Sequence, residues 1–241
     1  MKRTLFNLLI VPLLLNTLYG QTFYHEGDTL YVWASSGLNI RESFEKSSEI
    51  IGNISFGEKI VILKTGDNKS TELRVKSSCL IDSKPTNEFF LKGKMTMIRY
   101  KELEGYVFDA FLSRFTPIPT EYILFNFNEF LENKFDTLQI LKTYTGDNTS
   151  EQIILSNGIN IYTKTVSTCG QITYIIPDIT FQEGFLIAYR LLHLEKKELN
   201  QNDCQWYKYD SGYNFVEIWV YDDLLYKVSI RQINNFVSIT I

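Results

Sequence analysis

Histidine is nearly absent from this 241-residue chain: there are two, His25 and His193, far apart. No pair has zinc-ligand spacing and no His-Glu-x-x-His run occurs, so the pattern of a zinc hydrolase is missing. Cysteine is also scarce, with three residues, Cys79, Cys169 and Cys204. A thiol nucleophile needs an imidazole to take its proton. No histidine follows Cys204, and Cys169, although it precedes His193, is flanked by Gly170-Gln171, which matches no nucleophile motif. An excess of basic residues is lacking too, with 24 Lys and Arg against 28 Asp and Glu. With no basic stripe, neither nucleic acid nor an acidic membrane surface is an expected partner. No glycine-rich phosphate loop is present. Carboxylates are plentiful, among them Glu102, Glu104, Asp109 and the Asp222-Asp223 pair. Nothing sets two of them across a cleft at the ~5–9.5 Å that glycosidases use, and Asp222-Asp223 suits a turn. These absences imply no metal, no cofactor and no catalytic site.

Long apolar runs are absent beyond the first twenty residues. Lys2 and Arg3 precede an apolar Leu5–Leu15, interrupted by Asn7 and Pro12, and Asn16 to Gly20 forms a polar-to-small exit. The run falls short of the ~20 residues a membrane span needs, so residues 1–20 are expected to be a cleaved secretory signal. No cysteine follows it to carry a lipid. The expected product is exported, periplasmic or extracellular, with no membrane span after cleavage. In an oxidising compartment the cysteines can pair, and three single pairings are possible. Cys169 and Cys204 share the second half of the chain, which favours that disulfide and leaves Cys79 unpaired.

What is present is apolar and aromatic: 44% of residues are hydrophobic, with 15 Tyr and 17 Phe. That balance favours strands around a core. Tyr31-Val32-Trp33 leads into a turn, and Gly37-Leu38-Asn39-Ile40-Arg41 then alternates with period two. Leu38 and Ile40 face inward, Asn39 and Arg41 outward. Ser43 to Ser48 is a mostly polar loop. Ile50–Ile54 and Glu58–Leu63 form a strand pair across Ser55-Phe56-Gly57. Lys94–Tyr100 and Gly105–Phe108 follow as strands, and Asp109–Leu112 as one helical turn. Several short strands separated by turns predict a small closed or nearly closed barrel.

Ser36-Gly37-Leu38-Asn39-Ile40-Arg41, Ile50-Ile51-Gly52, Gly57 before an apolar strand, and Gly105-Tyr106-Val107 with Phe111-Leu112 together resemble the bacterial SH3-like (SH3b) domain. The resemblance covers about residues 28–114. It departs from the family at Met95, where a Trp is usual, and in a long excursion over about 64–91. The excursion contains Thr71–Val75 and Leu80-Ile81, which suit an extra hairpin.

Residues 116–120, Thr-Pro-Ile-Pro-Thr, read as a linker between a first unit, 21–115, and a second, 121–241. In the second, Thr120 can cap a helix with Ile123, Phe127, Phe130 and Leu131 on one face. Asp136–Tyr144 is ambiguous between helix and strand. Asn157-Gly158 signals a hairpin, and Pro177 ends a strand over Gln171–Ile176. Thr180-Phe181-Gln182-Glu183 fits a capping box opening a helix to about Leu192. Cys204–Tyr209, Asn214–Tyr221, Leu224–Arg231 and Phe236–Ile241 read as a meander with one buried face. The expected fold is mainly β with an α+β C-terminal part: a small SH3-like barrel, then an antiparallel sheet packed with one or two helices.

The resemblance implies a binding module for cell-wall peptide, peptidoglycan or an envelope protein. Asn39, Arg41, Tyr100 and Tyr106 lie in or beside its motif and are the candidate ligand-binding residues. The competing expectation packs Tyr106 into the core and pairs Arg41 with Glu42 or Glu45. The function expected is an exported, non-catalytic binding or targeting protein. A cell-wall hydrolase with an unrecognised site, or a periplasmic inhibitor or immunity-type protein, is the alternative.

Overall fold

The computed structural model describes residues 24–66, 70–75, 80–81, 84–85, 89–146, 148–166, 169–194, 204–210, 214–222 and 224–241. The expected signal segment and Cys79 lie outside them. The chain is mainly β, built on two large antiparallel sheets. The first half contributes β1 (Thr29–Val32), β2 (Leu38–Arg41), β3 (Ile50–Ile54), β4 (Lys59–Lys64), β5 (Thr71–Val75), β6 (Leu80–Ile81), β7 (Lys84–Pro85), β8 (Phe89–Gly93), β9 (Met95–Tyr100), β10 (Leu103–Phe108) and β11 (Leu112–Ser113). The second contributes α1 (Phe127–Lys134), β12 (Thr137–Thr145), β13 (Asn148–Leu155), β14 (Asn160–Val166), β15 (Cys169–Pro177), α2 (Phe181–Leu191), β16 (Cys204–Asp210), β17 (Phe215–Asp222), β18 (Leu224–Ile233) and β19 (Phe236–Thr240).

The seven-stranded sheet runs β11-β1-β4-β9-β10-β2-β3, and among the described residues no ladder joins its two ends. The pairing is thus that of an open sheet. Period-two alternation buries Leu38 and Ile40, and with Leu30, Val32, Ile60, Ile62, Ile98 and Val107 they form a small core. Gly105 explains itself here, because a Cβ at that position would sit 2.6 Å from Ile40 Cγ2 and 2.7 Å from the Arg41 carbonyl oxygen. Only a bare backbone lets β10 approach β2 so closely. Met95 is buried at the start of β9. Within the excursion, β5 pairs with β8 and β6 with β7.

The eight-stranded sheet runs β12-β13-β14-β15-β19-β18-β17-β16. Asn157-Gly158 makes the β13–β14 hairpin, with Gly158 at φ +84°. The meander from β16 to β19 forms as the alternation predicts. The first helix starts later than expected. A 3-10 turn over Leu124–Asn126 precedes α1, which buries Phe127, Phe130 and Leu131 while Ile123 stays exposed. The extra turn changes the helical phase and carries Ile123 off the apolar face.

Helix α2 joins the halves. It is apolar on nearly every side, as suits a helix covered all round. One side packs on β18 and β19, with Gly184 against Val237 and Ile230. Another meets the 3-10 turn Asp109–Phe111 of the first half. Phe89 of β8 reaches Phe185 at 4.5 Å between ring centroids and Tyr207 at 6.2 Å. A single large core therefore includes Trp33, Phe89, Phe115 and Ile118 from the first part, with Leu131, Tyr174, Phe185 and Ile230 from the second. The segment expected as a linker runs through this core: Ile118 is fully buried, and its carbonyl accepts from Arg190 Nε at 3.1 Å.

The capping box at α2 does two jobs. Thr180 Oγ1 accepts from the Glu183 N–H at 3.2 Å, and Glu183 Oε2 accepts from the Thr180 N–H at 2.8 Å. The other carboxylate oxygen accepts from Ser113 Oγ at 2.7 Å and the Arg114 N–H at 2.8 Å, across the two halves. Glu183 is 1% exposed, and burial raises its pKa. Glu183→Ala removes the acceptor of one buried and two part-buried donors and is expected to cost about 2–4 kcal/mol of unfolding free energy. Urea denaturation checks this, and an unchanged midpoint would show that the bridge carries no stability.

Candidate functional site

Three of the four residues singled out from the sequence meet on one surface. Asn39 and Arg41 alternate outward from β2, and Tyr106 of β10 stands directly across from Arg41. The neighbouring strands extend this face: Asn53 is the register partner of Asn39, and its Nδ2 donates to Asn39 Oδ1 at 2.9 Å. On the other side, Met97 is the partner of Tyr106. Phe44, 53% exposed, lies edge-on to Tyr106 with ring centroids 6.3 Å apart. The result is a surface of two amides, a guanidinium and two aromatic rings, able to offer hydrogen bonds beside apolar contact.

Tyr100 belongs elsewhere. Alternation along β9 turns Met97 and Tyr100 to opposite faces, and Tyr100 packs against the small core. Its hydroxyl donates to Glu58 Oε2 at 3.4 Å, and Lys101 Nζ lies over its ring at 4.7 Å. Arg41 pairs with neither Glu42 nor Glu45. Its Nη1 donates to the Ser48 carbonyl oxygen at 2.7 Å, and Ser48 Oγ in turn bonds the Ser43 backbone. Arg41 therefore holds the 43–48 loop that presents Phe44, and Tyr106 is half-buried against that ring and not in the core.

Two residues of this surface, Phe44 and Asn53, escaped the sequence reading. Asn53 follows from register, which sets the partner of Asn39 once β2 and β3 are paired. Phe44 had a fainter signal, as the one aromatic in an otherwise polar loop.

The outer face of the eight-stranded sheet carries a second, shallow groove of about 420 Å³, with Gln152, Tyr162, Lys164, Gln171 and Leu141 among its lining. Gln152 Nε2 donates to the Tyr162 hydroxyl at 2.7 Å and to Asn160 Oδ1 at 3.0 Å. These are the polar side chains that a one-sided sheet turns to solvent.

The carboxylates weighed from the sequence do not face each other across a cleft among the described residues. Glu102 is exposed, and Glu104 bonds Arg99 at 2.9 Å. Asp109 has its pKa pushed up to about 6 by burial, against the lowering effect of its bonds to the Lys94 N–H and the Thr96 hydroxyl. That value suits a general acid. At 3% exposure, with both oxygens engaged, Asp109 instead ties the 3-10 turn to the start of β9. No three His, Cys, Asp or Glu side chains gather as a metal-binding group among the described residues, and no helix there is long and apolar enough to cross a membrane. Cys169 opens β15 and Cys204 opens β16, with three strands between them in the sheet. Four strand spacings amount to about 19 Å along a flat sheet, whereas a disulfide needs Cα atoms within about 7 Å. The sheet order does not bring the two strands together.

Comparison with protein-family models, curated proteins and solved structures finds no match for this chain.

Two measurements follow from these contacts. Arg41→Ala frees the Ser48 carbonyl and is expected to cost about 1.5–3 kcal/mol. Amide hydrogen exchange should quicken at residues 43–48 and stay unchanged in β13 and β14; equal quickening throughout would count against a local role. Asp109, raised in the folded state, stabilises the fold fully below the unfolded pKa of 3.8, and that contribution is lost as pH rises through about 6. Across that window, stability is expected to fall by up to about 3 kcal/mol relative to Asp109→Asn. Parallel urea midpoints for both proteins at pH 4 and pH 7 would show that Asp109 does not titrate in this way.

Proposed function

We propose that this chain is an exported, non-catalytic binding protein whose first half is an SH3-like module for cell-envelope peptide or peptidoglycan. The observation that carries the proposal is the surface of Asn39, Asn53, Arg41 and Tyr106 on adjacent strands, with Phe44 set against Tyr106 by the 43–48 loop. Three of these belong to the sequence motif that resembles the SH3b family. A peptide stem offers amides and carboxylates to the Asn and Arg side chains, and apolar Cβ surface to the two rings. Export rests on the leader pattern of residues 1–20. A targeting role follows from the same chemistry, since amide and aromatic groups bind without supplying a nucleophile, base or metal.

The test is retention of the full mature chain on insoluble peptidoglycan. Phe44→Ala combined with Tyr106→Ala is expected to lower retention at least about tenfold, in line with loss of two exposed aromatic contacts. Far-UV circular dichroism should be unchanged, because both rings lie on the outer surface. Binding by neither protein would sink the ligand assignment. Clearing of cell-wall substrate on a zymogram would instead favour a hydrolase.

A further inference from the structure

Strand β12 is an edge without the usual protection. It is nine residues long, and all nine are exposed. It pairs with β13 on one side, and among the described residues nothing pairs with the other. Four large apolar side chains stand on it: Leu138 at 67% exposure, Ile140 at 52%, Leu141 at 47% and Tyr144 at 70%. Native sheets blunt such edges with proline, short strands, bulges or outward lysines. β12 has no proline, and its one irregularity falls at its start, between Thr137 and Gln139. Its one charge, Lys142, is held by Glu151 of the neighbouring strand at 3.0 Å.

We propose that β12 is a self-association edge, with two copies of the chain joining their sheets by antiparallel pairing of β12 on β12 about a two-fold axis at Leu141. The occupant follows from the register. Centring on Leu141 is the self-pairing that uses all nine residues. It sets Leu141 against its own copy, Leu138 beside Tyr144 of the second copy, and Ile140 opposite Lys142 of the second copy. Each exposed apolar residue thereby meets an apolar side chain or the aliphatic stem of a lysine. Centring one residue later places Lys142 on Lys142, and like charges directly opposite are unfavourable. Centring one residue earlier sets Leu138 against Lys142 and Tyr144 against Asp136. An isologous contact of this kind closes on itself and makes a dimer, not a fibre.

Sedimentation of the full mature chain should show a dimer in the micromolar range. Leu141→Lys puts two like charges on the axis and is expected to weaken the dimer at least about tenfold. Its circular dichroism should match the parent, since Leu141 is half-exposed, and the two thermal midpoints should agree at concentrations low enough for the parent to be a monomer. A second variant reads the register directly: Leu141→Cys should give a disulfide-linked dimer under mild oxidation. Thr145→Cys, which this register sets opposite Thr137 of the second copy, should not. A monomer at all accessible concentrations overturns the proposal. So does a dimer indifferent to Leu141→Lys, or equal cross-linking by the two cysteine variants.

Discussion

A buried carboxylate on α2 holds the molecule together. Glu183 caps its own helix with one oxygen and accepts the Ser113 hydroxyl and the Arg114 N–H with the other. A buried charge is costly unless hydrogen bonds replace its hydration, and three donors converge here. The arrangement requires β11 to lie at the N-terminal end of α2, so the first half docks in one position. At the other end Arg190 repeats the device, donating to Ile118 and placing its guanidinium 4.5 Å over the Phe56 ring. Between these two anchors only Tyr189 is partly exposed, which is why a helix of eleven residues can be so largely apolar.

Local signals in the sequence carried much of the architecture, because the residues that set each element are its near neighbours. Period-two alternation at Leu38–Arg41 and over β17 to β19, the Asn157-Gly158 turn and the Thr180–Glu183 box each act within a few residues. The shared core was hidden for the opposite reason. Ile118 sits between two prolines and looks like a hinge, and Phe89 closes an excursion that looks like an insertion. Each is buried by partners seventy or more residues away, and nothing local announces that. β12 was ambiguous on physical grounds as well. Leu138, Ile140, Leu141 and Tyr144 fit neither period cleanly, since a strand exposed on both faces is under no pressure to segregate them.

At the candidate surface the same division holds. Asn39, Arg41 and Tyr106 are outward positions of short alternating strands, so their common face follows from parity once β2 pairs with β10. Tyr100 fails by the same parity, since it shares a face with buried Ile98. Arg41 adds a distinction that composition cannot show. Its guanidinium is committed to the Ser48 carbonyl, so it shapes the loop carrying Phe44 as well as charging the surface.

The two proposed surfaces are compatible because of where each sits in the strand order. The first half meets the second through α2 and through β8, which touches β16. β16 and β12 are opposite ends of the eight-stranded sheet. A second copy added at β12 therefore extends the sheet away from the docked first half and leaves the Phe44–Tyr106 surface uncovered. Such a pair would carry two copies of that surface on one continuous sheet. A polymer with repeated peptide stems can engage both, and the second contact is then intramolecular. If the amide-and-aromatic patch binds as proposed, the pairing would add retention without any new contact to the ligand. The proposed pairing at the unprotected edge and the proposed binding surface would thus act together, the first setting the number of copies of the second.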